Sequence, residues 1–249
     1  PFFPQERYQC GPAALATVLS AAGADVTADS LVPEVYIPGR AGSLQAELVA
    51  ATRRHERVPY VLPPTVDTLL ATLDGGLPVL VLQKLGAGPF PGWHYAVVVG
   101  YDSSSGHFVL RSGTERRKVM SASHFLATWD RAERWALVAV TPGALPPAPD
   151  FSRYMEAAAG LEAVGRPEAA TLAYEAAARA WPAESLPQLA LANLAYARGD
   201  TRAAADFYRQ ALALVPSAAL ARTLGAILWF DLKDAAGSRA ALQQALALD

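Results

Sequence analysis

The stretch CGPAALATVLSAAG, residues 10–23, is the most informative part of this sequence. Leucine and valine recur within it at helical spacing, and Gly23 stands where such a helix would end. Pro12 suits a first helical turn, because its missing N–H would have no partner there in any case. We therefore expect a helix whose N-terminus lies at or just after Cys10.

Cys10 is the only cysteine in the chain, which excludes a scaffold built on intrachain disulfides. Peptide dipoles and free N–H groups at a helix start favour an anion, and therefore the reactive thiolate. The competing interpretation is a small buried hydrophobic side chain, the commoner fate of a lone cysteine.

Composition limits the classes of protein to consider. The chain has 249 residues, of which 52% are hydrophobic and 18% charged, so it can bury a core in one large domain or two modest ones. Its net charge of −2 gives no reason to expect a nucleic-acid partner. No apolar stretch approaches the ~18–20 residues that span a bilayer. The start, PFFPQ, lacks the features of a secretion signal, so we expect any targeting segment to have been removed.

Composition changes near residue 150. There are 21 alanines among residues 1–150 and 31 among residues 151–249. Between them, TPGALPPAPD (residues 141–150) carries four prolines, which cannot continue a helix or strand, so it should be a semi-rigid spacer. We predict an N-terminal domain over 1–140 and a second domain over 151–249.

The second domain repeats with a period of 34 residues, in units 151–184, 185–218 and 219–249. Small residues, an aromatic or leucine, and proline recur where stacked helical hairpins need them. The aligned positions are Ala170, Ala204 and Ser238; Tyr174, Tyr208 and Leu242; Ala177, Ala211 and Ala245; Pro182 and Pro216; and the turn residues Gly165, Gly199 and Lys233. The region resembles the tetratricopeptide repeat (TPR) family, which implies a scaffold that binds proteins or peptides. A simple helical bundle is the alternative.

A second chemical candidate lies in GWHYAVVVGYD, residues 92–102. His94 stands at the mouth of an apolar β run, with a fixed backbone and access to a cleft, as a general base requires. A capping or core histidine is the competing interpretation. The other histidines are less well placed, since His55 follows two arginines on a helix, His107 starts a strand and His124 lies in a polar turn.

The remaining pattern indicates an α+β fold, with an antiparallel sheet packed on the helix that starts at Cys10. Helices are expected at 43–55 and 65–73, and strands at about 78–83, 94–101, 107–112 and 135–140. A cysteine helix followed by a histidine strand, with no metal-spaced cluster, suits a thiolate–imidazolium pair and argues against zinc or another cofactor.

QERYQCGPAAL and GWHYAVVVGYD, with helix 43–55 and strand 77–83 between them, resemble the C39-like cysteine peptidases of the papain-like superfamily over about residues 1–140. The resemblance implies that Cys10 is the nucleophile and His94 the general base and acid. Gln5 would donate to the oxyanion together with the backbone N–H of Cys10. Gln9 competes for the role of Gln5, but adjacent side chains tend to diverge.

The third catalytic position departs from the family. C39 peptidases usually carry Asp or Asn near the end of the strand after the histidine, and the matching residue in HFVLRSG is Ser112. Asp102 cannot substitute, because an extended strand puts it about 26 Å from His94. It should instead bond local backbone in the DSSSG turn. Ser112 brings no negative charge to an imidazolium, so we expect low activity.

These features favour a thiol hydrolase that cleaves peptides, with the repeats recruiting a protein substrate or partner. A non-catalytic, C39-like binding adaptor is the main alternative, and transferase or deamidase chemistry on the same pair is a third. Some C39 peptidases trim leader peptides beside a transporter, but no transporter is present here and that substrate does not carry over. Similar peptidase–TPR chains imply a bacterial envelope or periplasmic location, for example as a lipoprotein.

Overall fold

The computed structural model describes residues 1–4, 9–86 and 92–248. The chain forms two compact units, Pro1–Arg166 and Pro167–Asp249. Each unit has its own secondary structure and core and is described by itself below.

The first unit combines helices with an antiparallel sheet. Its helices are α1 (Cys10–Ala21), α2 (Ala28–Val35), α3 (Gln45–Arg54), α4 (Val66–Asp74), α5 (Ala122–Asp130) and α6 (Phe151–Ala163), with a 3₁₀ turn at Pro38–Arg40. Its strands are β1 (Val58–Val61), β2 (Val79–Leu85), β3 (Gly92–Asp102), β4 (His107–Ser112), β5 (Glu115–Ser121) and β6 (Ala136–Val140). They form one sheet in the order β1-β6-β2-β3-β4-β5, and every neighbouring pair is antiparallel.

Strand alternation divides the side chains of the sheet between two helical layers. On one face, Leu82, Tyr95 and Val97 pack with α1, α2 and α3 in a single buried cluster. On the other face, the buried Gln83 donates a hydrogen bond of 2.7 Å to Thr128 of α5. The sheet is therefore covered on both sides, and successive residues of β3 point into different layers.

Helix α1 is the central helix of its layer. Its residues from Gly11 to Leu19 are all buried, and the Thr17 hydroxyl donates to the Ala13 carbonyl at 2.9 Å, so its one polar group in this stretch is satisfied within the helix. The prediction of a helix that starts at Cys10 and packs on an antiparallel sheet is confirmed.

Helix α5 corrects one prediction, because His124 lies in its first turn and not in a polar turn. Ser121 caps this helix by accepting a hydrogen bond from the His124 N–H at 3.4 Å. Phe125 and Trp129 are fully buried against the sheet, with the Phe125 ring centroid 4.5 Å from that of Phe108. These aromatic contacts fix α5 against the face of the sheet that carries Gln83.

The proline-rich segment 141–150 contains neither helix nor strand, as its sequence predicts. Its last residue is fixed to the sheet, since the Asp150 N–H donates to the Tyr60 hydroxyl at 2.9 Å. Helix α6 then packs against β1 and α3 and belongs to the first unit. The boundary that the composition predicts therefore lies at residue 150, whereas the boundary between the two compact units lies after Arg166.

The second unit is helical, and its helices follow the 34-residue period. Its described helices are α7 (Pro167–Ala180), α8 (Leu186–Ala197), α9 (Thr201–Leu214), α10 (Ala218–Phe230) and α11 (Ala235–Leu248). Helix α8 packs on α9 and α10 on α11, as in helical hairpins. The turn residues Gly165, Gly199 and Lys233 have φ of 71°, 81° and 57°, so the equivalent positions share one backbone conformation even where the glycine is replaced. Across residues 1–4, 9–86 and 92–248, no helix combines the length and apolar character needed to cross a membrane.

Candidate active site

Cys10 is the first residue of α1 and is a free, half-buried thiol. It opens on a cavity of about 570 Å³, the thiol pocket. The pocket is lined by Cys10, Arg40, Ala41, Gly42, Ser43, Leu44, Gln45, Leu82, Trp93 and Tyr95. The side chain thus combines a helix start with access to a space that holds several amino-acid side chains, as a nucleophile requires.

The wall of the thiol pocket fits closely against α1. A Cβ atom at Gly11 would collide with the Ser43 side chain, so only glycine fits beside Cys10 at this contact. The Tyr95 hydroxyl donates to the Ser43 carbonyl at 3.3 Å. Burial, together with the charge that Cys10 can carry, raises the pKa of the Tyr95 phenol, so the phenol stays protonated and can donate.

His94 occupies a second cavity of about 430 Å³, the imidazole pocket. It is lined by Gln83, Leu85, His94, Ser112, Lys118, Val119, Met120, Ser121 and His124. His94 Nε2 lies 2.8 Å from Ser112 Oγ, and Ser112 is only 5% exposed. The residue that the sequence matches to the third catalytic position is therefore in hydrogen-bond contact with the imidazole.

Burial in this pocket, and the positive charge of Lys118, lower the pKa of His94 to about 4. The imidazole is consequently neutral at pH 7, which leaves it able to accept a proton. A stable imidazolium, as in a preformed ion pair with a thiolate, is disfavoured in this environment, because burial penalises the charged ring and Lys118 repels it even though Glu115 lies 3.3 Å from the Lys118 ammonium.

The structure brings His94 and Ser112 together but does not bring Cys10 to His94. Cys10 packs with the cluster that contains Tyr95, whereas His94, one residue earlier in β3, points to the opposite face with Gln83. No hydrogen bond joins the thiol to the imidazole, two groups that both lie in the described part of the chain. Gln5, the predicted oxyanion donor, lies outside the described residues.

Asp102 behaves as the sequence predicts. Its Oδ1 accepts from the N–H groups of Ser104 and Ser105 at 2.9 and 3.3 Å, and both serine hydroxyls also donate to this carboxylate. These bonds lower the pKa of Asp102 to about 2 and hold it in the turn between β3 and β4. It is therefore a structural residue and not a partner of His94.

The remaining histidine and acidic side chains do not form a metal site in the described part of the chain. His55 Nε2 lies 2.9 Å from a carboxylate oxygen of Glu34, whose other oxygen accepts a 2.7 Å bond from Arg54, so this cluster ties α3 to α2. Among residues 1–4, 9–86 and 92–248, no three His, Cys, Asp or Glu side chains are arranged to hold a metal ion.

Several residues of both pockets were not predicted. Arg40, Trp93 and Tyr95 surround the thiol, and Lys118 and His124 face the imidazole. The alternation of GWHYAVVV contains part of this information, because it places Trp93 and Tyr95 on one face of the strand and His94 on the other. Arg40 lies in a polar loop far from Cys10 in sequence, and nothing local indicates its position.

A carboxylate at position 112 should restore a charged partner for the imidazole. In Ser112→Asp we expect the pKa of His94 to rise from about 4 by at least about one unit, because an adjacent carboxylate favours the imidazolium. The measurement is an NMR titration of the imidazole C–H signals, with Ser112→Asn as the neutral control. Equal pKa values in the two variants would mean that residue 112 does not act on His94.

The chain is similar to several known proteins. The sequence of residues 1–137, more than half of the chain, matches the family model described as "Peptidase_C39 like family". The peptidase domain of Streptococcus ComA, a bi-functional ABC transporter involved in a quorum sensing pathway, is 20% identical with a TM-score of 0.46; the match covers 56% of this chain and 97% of that one. A protein described as a C39-like peptidase from Bacillus anthracis is 15% identical with a TM-score of 0.48, over 57% of this chain and 94% of the other.

The structure of MamA is 14% identical with a TM-score of 0.36, over 40% of this chain and 58% of that one. A search of curated protein sequences gave no match. The assignment depends on the sequence match and not on these structural similarities. With its match over residues 1–137, the chain belongs to the Peptidase_C39 like family.

Proposed function

We propose that the N-terminal domain is a cysteine peptidase in which Cys10 attacks the carbonyl carbon of a peptide bond. The observation that carries the proposal is the position of the sole thiol, at the first residue of a buried helix and in the lining of a cavity of about 570 Å³. Membership of a C39-like peptidase family supports it.

In the proposed reaction the thiolate forms a bond to the carbonyl carbon, and the oxyanion accepts hydrogen bonds from the Cys10 backbone N–H and from Gln5. The imidazole of His94 takes the thiol proton and returns it to the departing amine. Water then attacks the thioester, releasing the acid product and regenerating the thiol. Ser112 orients the imidazole through its 2.8 Å contact and adds no charge.

This chemistry requires His94 to reach the sulfur. In the structure, the imidazole points away from the face of β3 that meets Cys10. In a β-bulge, two residues of one strand oppose a single residue of its partner, so one side chain turns to the other face and the pairing shifts by one residue on one side of the bulge only. The proposal therefore includes such a rearrangement between Gly92 and Tyr95 when peptide is bound.

The separation of the two pockets favours a second candidate function. A C39-like domain whose thiol and imidazole stay apart would bind peptides without cleaving them and serve as an adaptor. The pKa of about 4 at His94 also fits this alternative, since it disfavours the imidazolium of an ion pair.

We also propose that the C-terminal helices are TPR-type repeats that recruit a protein substrate or partner. Helices α7, α9 and α11 begin at Pro167, Thr201 and Ala235, which matches the 34-residue period. Ala170, Ala204 and Ser238 are buried at equivalent positions of these helices, where close helix packing needs small side chains. A bacterial envelope location stays a prediction.

The single cysteine makes the test of peptidase function unambiguous. The intact chain is incubated with a mixture of end-capped peptides, and new termini are identified by mass spectrometry before and after alkylation of Cys10 with iodoacetamide. We expect cleavage that alkylation abolishes and that a Cys10→Ala preparation lacks. Peptides that bind but stay whole would establish the adaptor instead.

A further inference from the structure

We propose that the thiol pocket selects peptide segments in which an acidic side chain adjoins an apolar one. The inference rests on the proposed function only in taking the ligand of this pocket to be a peptide. It concerns binding, so it applies equally to a peptidase and to an adaptor.

One side of the thiol pocket is apolar and partly exposed. Trp93 is 56% exposed and Leu44 is 40% exposed, although both line a cavity beside the thiol. Leu82 and Tyr95 form the buried floor, and the Tyr95 ring is held edge-on against Trp135 with centroids 5.9 Å apart. An exposed tryptophan beside a rigid apolar floor is a surface that an aliphatic or aromatic side chain would cover.

The charge of the pocket is positive. Arg40 is the only charged side chain among the described lining residues, and it forms no ion pair with any residue in the described ranges. Lys84 lies beside the same wall, with its Nζ 5.3 Å from the centroid of the Trp93 ring. Two cations therefore flank an apolar wall that has no carboxylate of its own among these residues.

The backbone holds Arg40 in place. Its N–H donates to the Ile37 carbonyl at 3.0 Å within the 3₁₀ turn, and the Ile37 N–H donates to the Gly42 carbonyl at 2.8 Å. Between them, Ala41 adopts the left-handed conformation at φ 47°. The guanidinium is thus carried on a closed loop at the rim of the thiol pocket, and less backbone entropy is lost when it binds a ligand.

These features together specify the ligand. A guanidinium binds a carboxylate through paired, charge-assisted hydrogen bonds, and a partly enclosed pocket screens them less than bulk water does. A neighbouring apolar side chain would cover Trp93 and Leu44 in the same binding event. A basic peptide would instead place its charge near Arg40 and Lys84 and be repelled. Acidic and basic peptides of equal hydropathy should therefore differ clearly in affinity.

The experiment measures binding to the full-length Cys10→Ala chain, so no ligand is consumed. The probes are three short, end-capped fluorescent peptides that alternate leucine with glutamate, glutamine or lysine, and binding is followed by fluorescence anisotropy. We expect the glutamate peptide to bind roughly tenfold more tightly than the glutamine peptide, and the lysine peptide to bind most weakly. A glutamate–serine peptide should also bind weakly, because it lacks the apolar side chains.

Variants of the cations locate the site. Arg40→Ala should remove most of the preference for glutamate over glutamine, Arg40→Lys should retain part of it, and Lys84→Ala should reduce it. Arg117→Ala, an exposed arginine of β5 outside the thiol pocket, makes the same change in net charge and should leave the preference intact. Circular dichroism confirms that each variant is folded.

Equal binding of the glutamate and glutamine peptides, or equal loss of preference in Arg117→Ala and Arg40→Ala, would overturn the proposal. So would the absence of binding by all the peptides. A failure of the peptidase proposal would give a different result. The Cys10→Ala chain would still prefer glutamate peptides, whereas the wild-type chain would cleave none of the peptides.

Discussion

Replacing His94 with glutamine lowers kcat/KM for peptide hydrolysis on the order of a thousandfold, if the imidazole serves Cys10 as general base and acid. Glutamine can keep a hydrogen bond to Ser112 in place of the 2.8 Å contact but cannot transfer a proton. The loss should therefore appear in kcat, with KM little changed, because proton transfer is needed only in the transition state.

The measurement is steady-state hydrolysis of a peptide that the wild-type chain cleaves. His107→Gln is the matched control, because it makes the same substitution in the first residue of β4, outside both pockets. It should leave kcat/KM within about twofold of wild type, as expected for a residue with no part in transition-state stabilisation.

A His94→Gln variant that cleaves as fast as wild type would show that the imidazole on the far face of β3 takes no part in the reaction. The base would then have to come from elsewhere, and the rearrangement at the start of β3 would be unnecessary. This result would leave Cys10 as nucleophile and remove only His94 from the mechanism, so it differs from the result of the alkylation experiment.

Most of the helices and strands that carry the candidate site can be predicted from the sequence. The apolar spacing after Cys10 predicts α1, and the runs at 78–83, 94–101, 107–112 and 135–140 predict β2, β3, β4 and β6 to within a few residues. Helices α3 and α4 likewise begin and end within two residues of their predicted bounds. Strong periodicity and glycine or proline at the ends make such elements recognisable.

Two strands escape the pattern for identifiable reasons. Strand β5 reads ERRKVMS, and its charged residues belong to an edge strand that is mostly solvent-exposed, so it has little hydrophobic alternation. Strand β1, VPYV, has only four residues and contains a proline, which argues against a strand when the sequence is read alone. It lies at the other edge of the sheet, where proline is tolerated.

The relation of His94 to Cys10 could not be predicted for a different reason. Both faces of β3 are apolar, with Tyr95 and Val97 on one and Ala96 and Val98 on the other, because helices cover both sides of the sheet. Alternation then separates His94 from Tyr95 but does not say which of the two meets α1. Tertiary packing decides that question, and it gives the α1 face to Tyr95.

The buried imidazole has a consequence for stability that does not depend on catalysis. We expect the free energy of unfolding to fall by roughly 3 kcal/mol as the pH drops from 7.5 to below 4, through His94 alone. The folded-state pKa of about 4 lies below the ordinary value of 6.5, so the unfolded chain binds a proton between these values while the folded chain does not. The contribution is therefore present above pH 6.5 and is lost progressively as the pH falls towards 4.

Urea denaturation of wild type and His94→Gln at several pH values between 7.5 and 4 isolates this contribution, because glutamine does not titrate. The Glu34 carboxylate also contributes to the pH dependence. Partial burial raises its pKa, but hydrogen bonds to Arg54 and His55 lower it overall, so its contribution to the free energy of unfolding is lost as the pH falls below the ordinary value. This loss is the same in both proteins and cancels in the comparison. Lys118→Gln should reduce the loss of stability at low pH, since removing that positive charge lets the pKa of His94 rise. Parallel pH profiles for wild type and His94→Gln would mean that the imidazole is solvated in the folded chain, which would contradict its burial in the imidazole pocket.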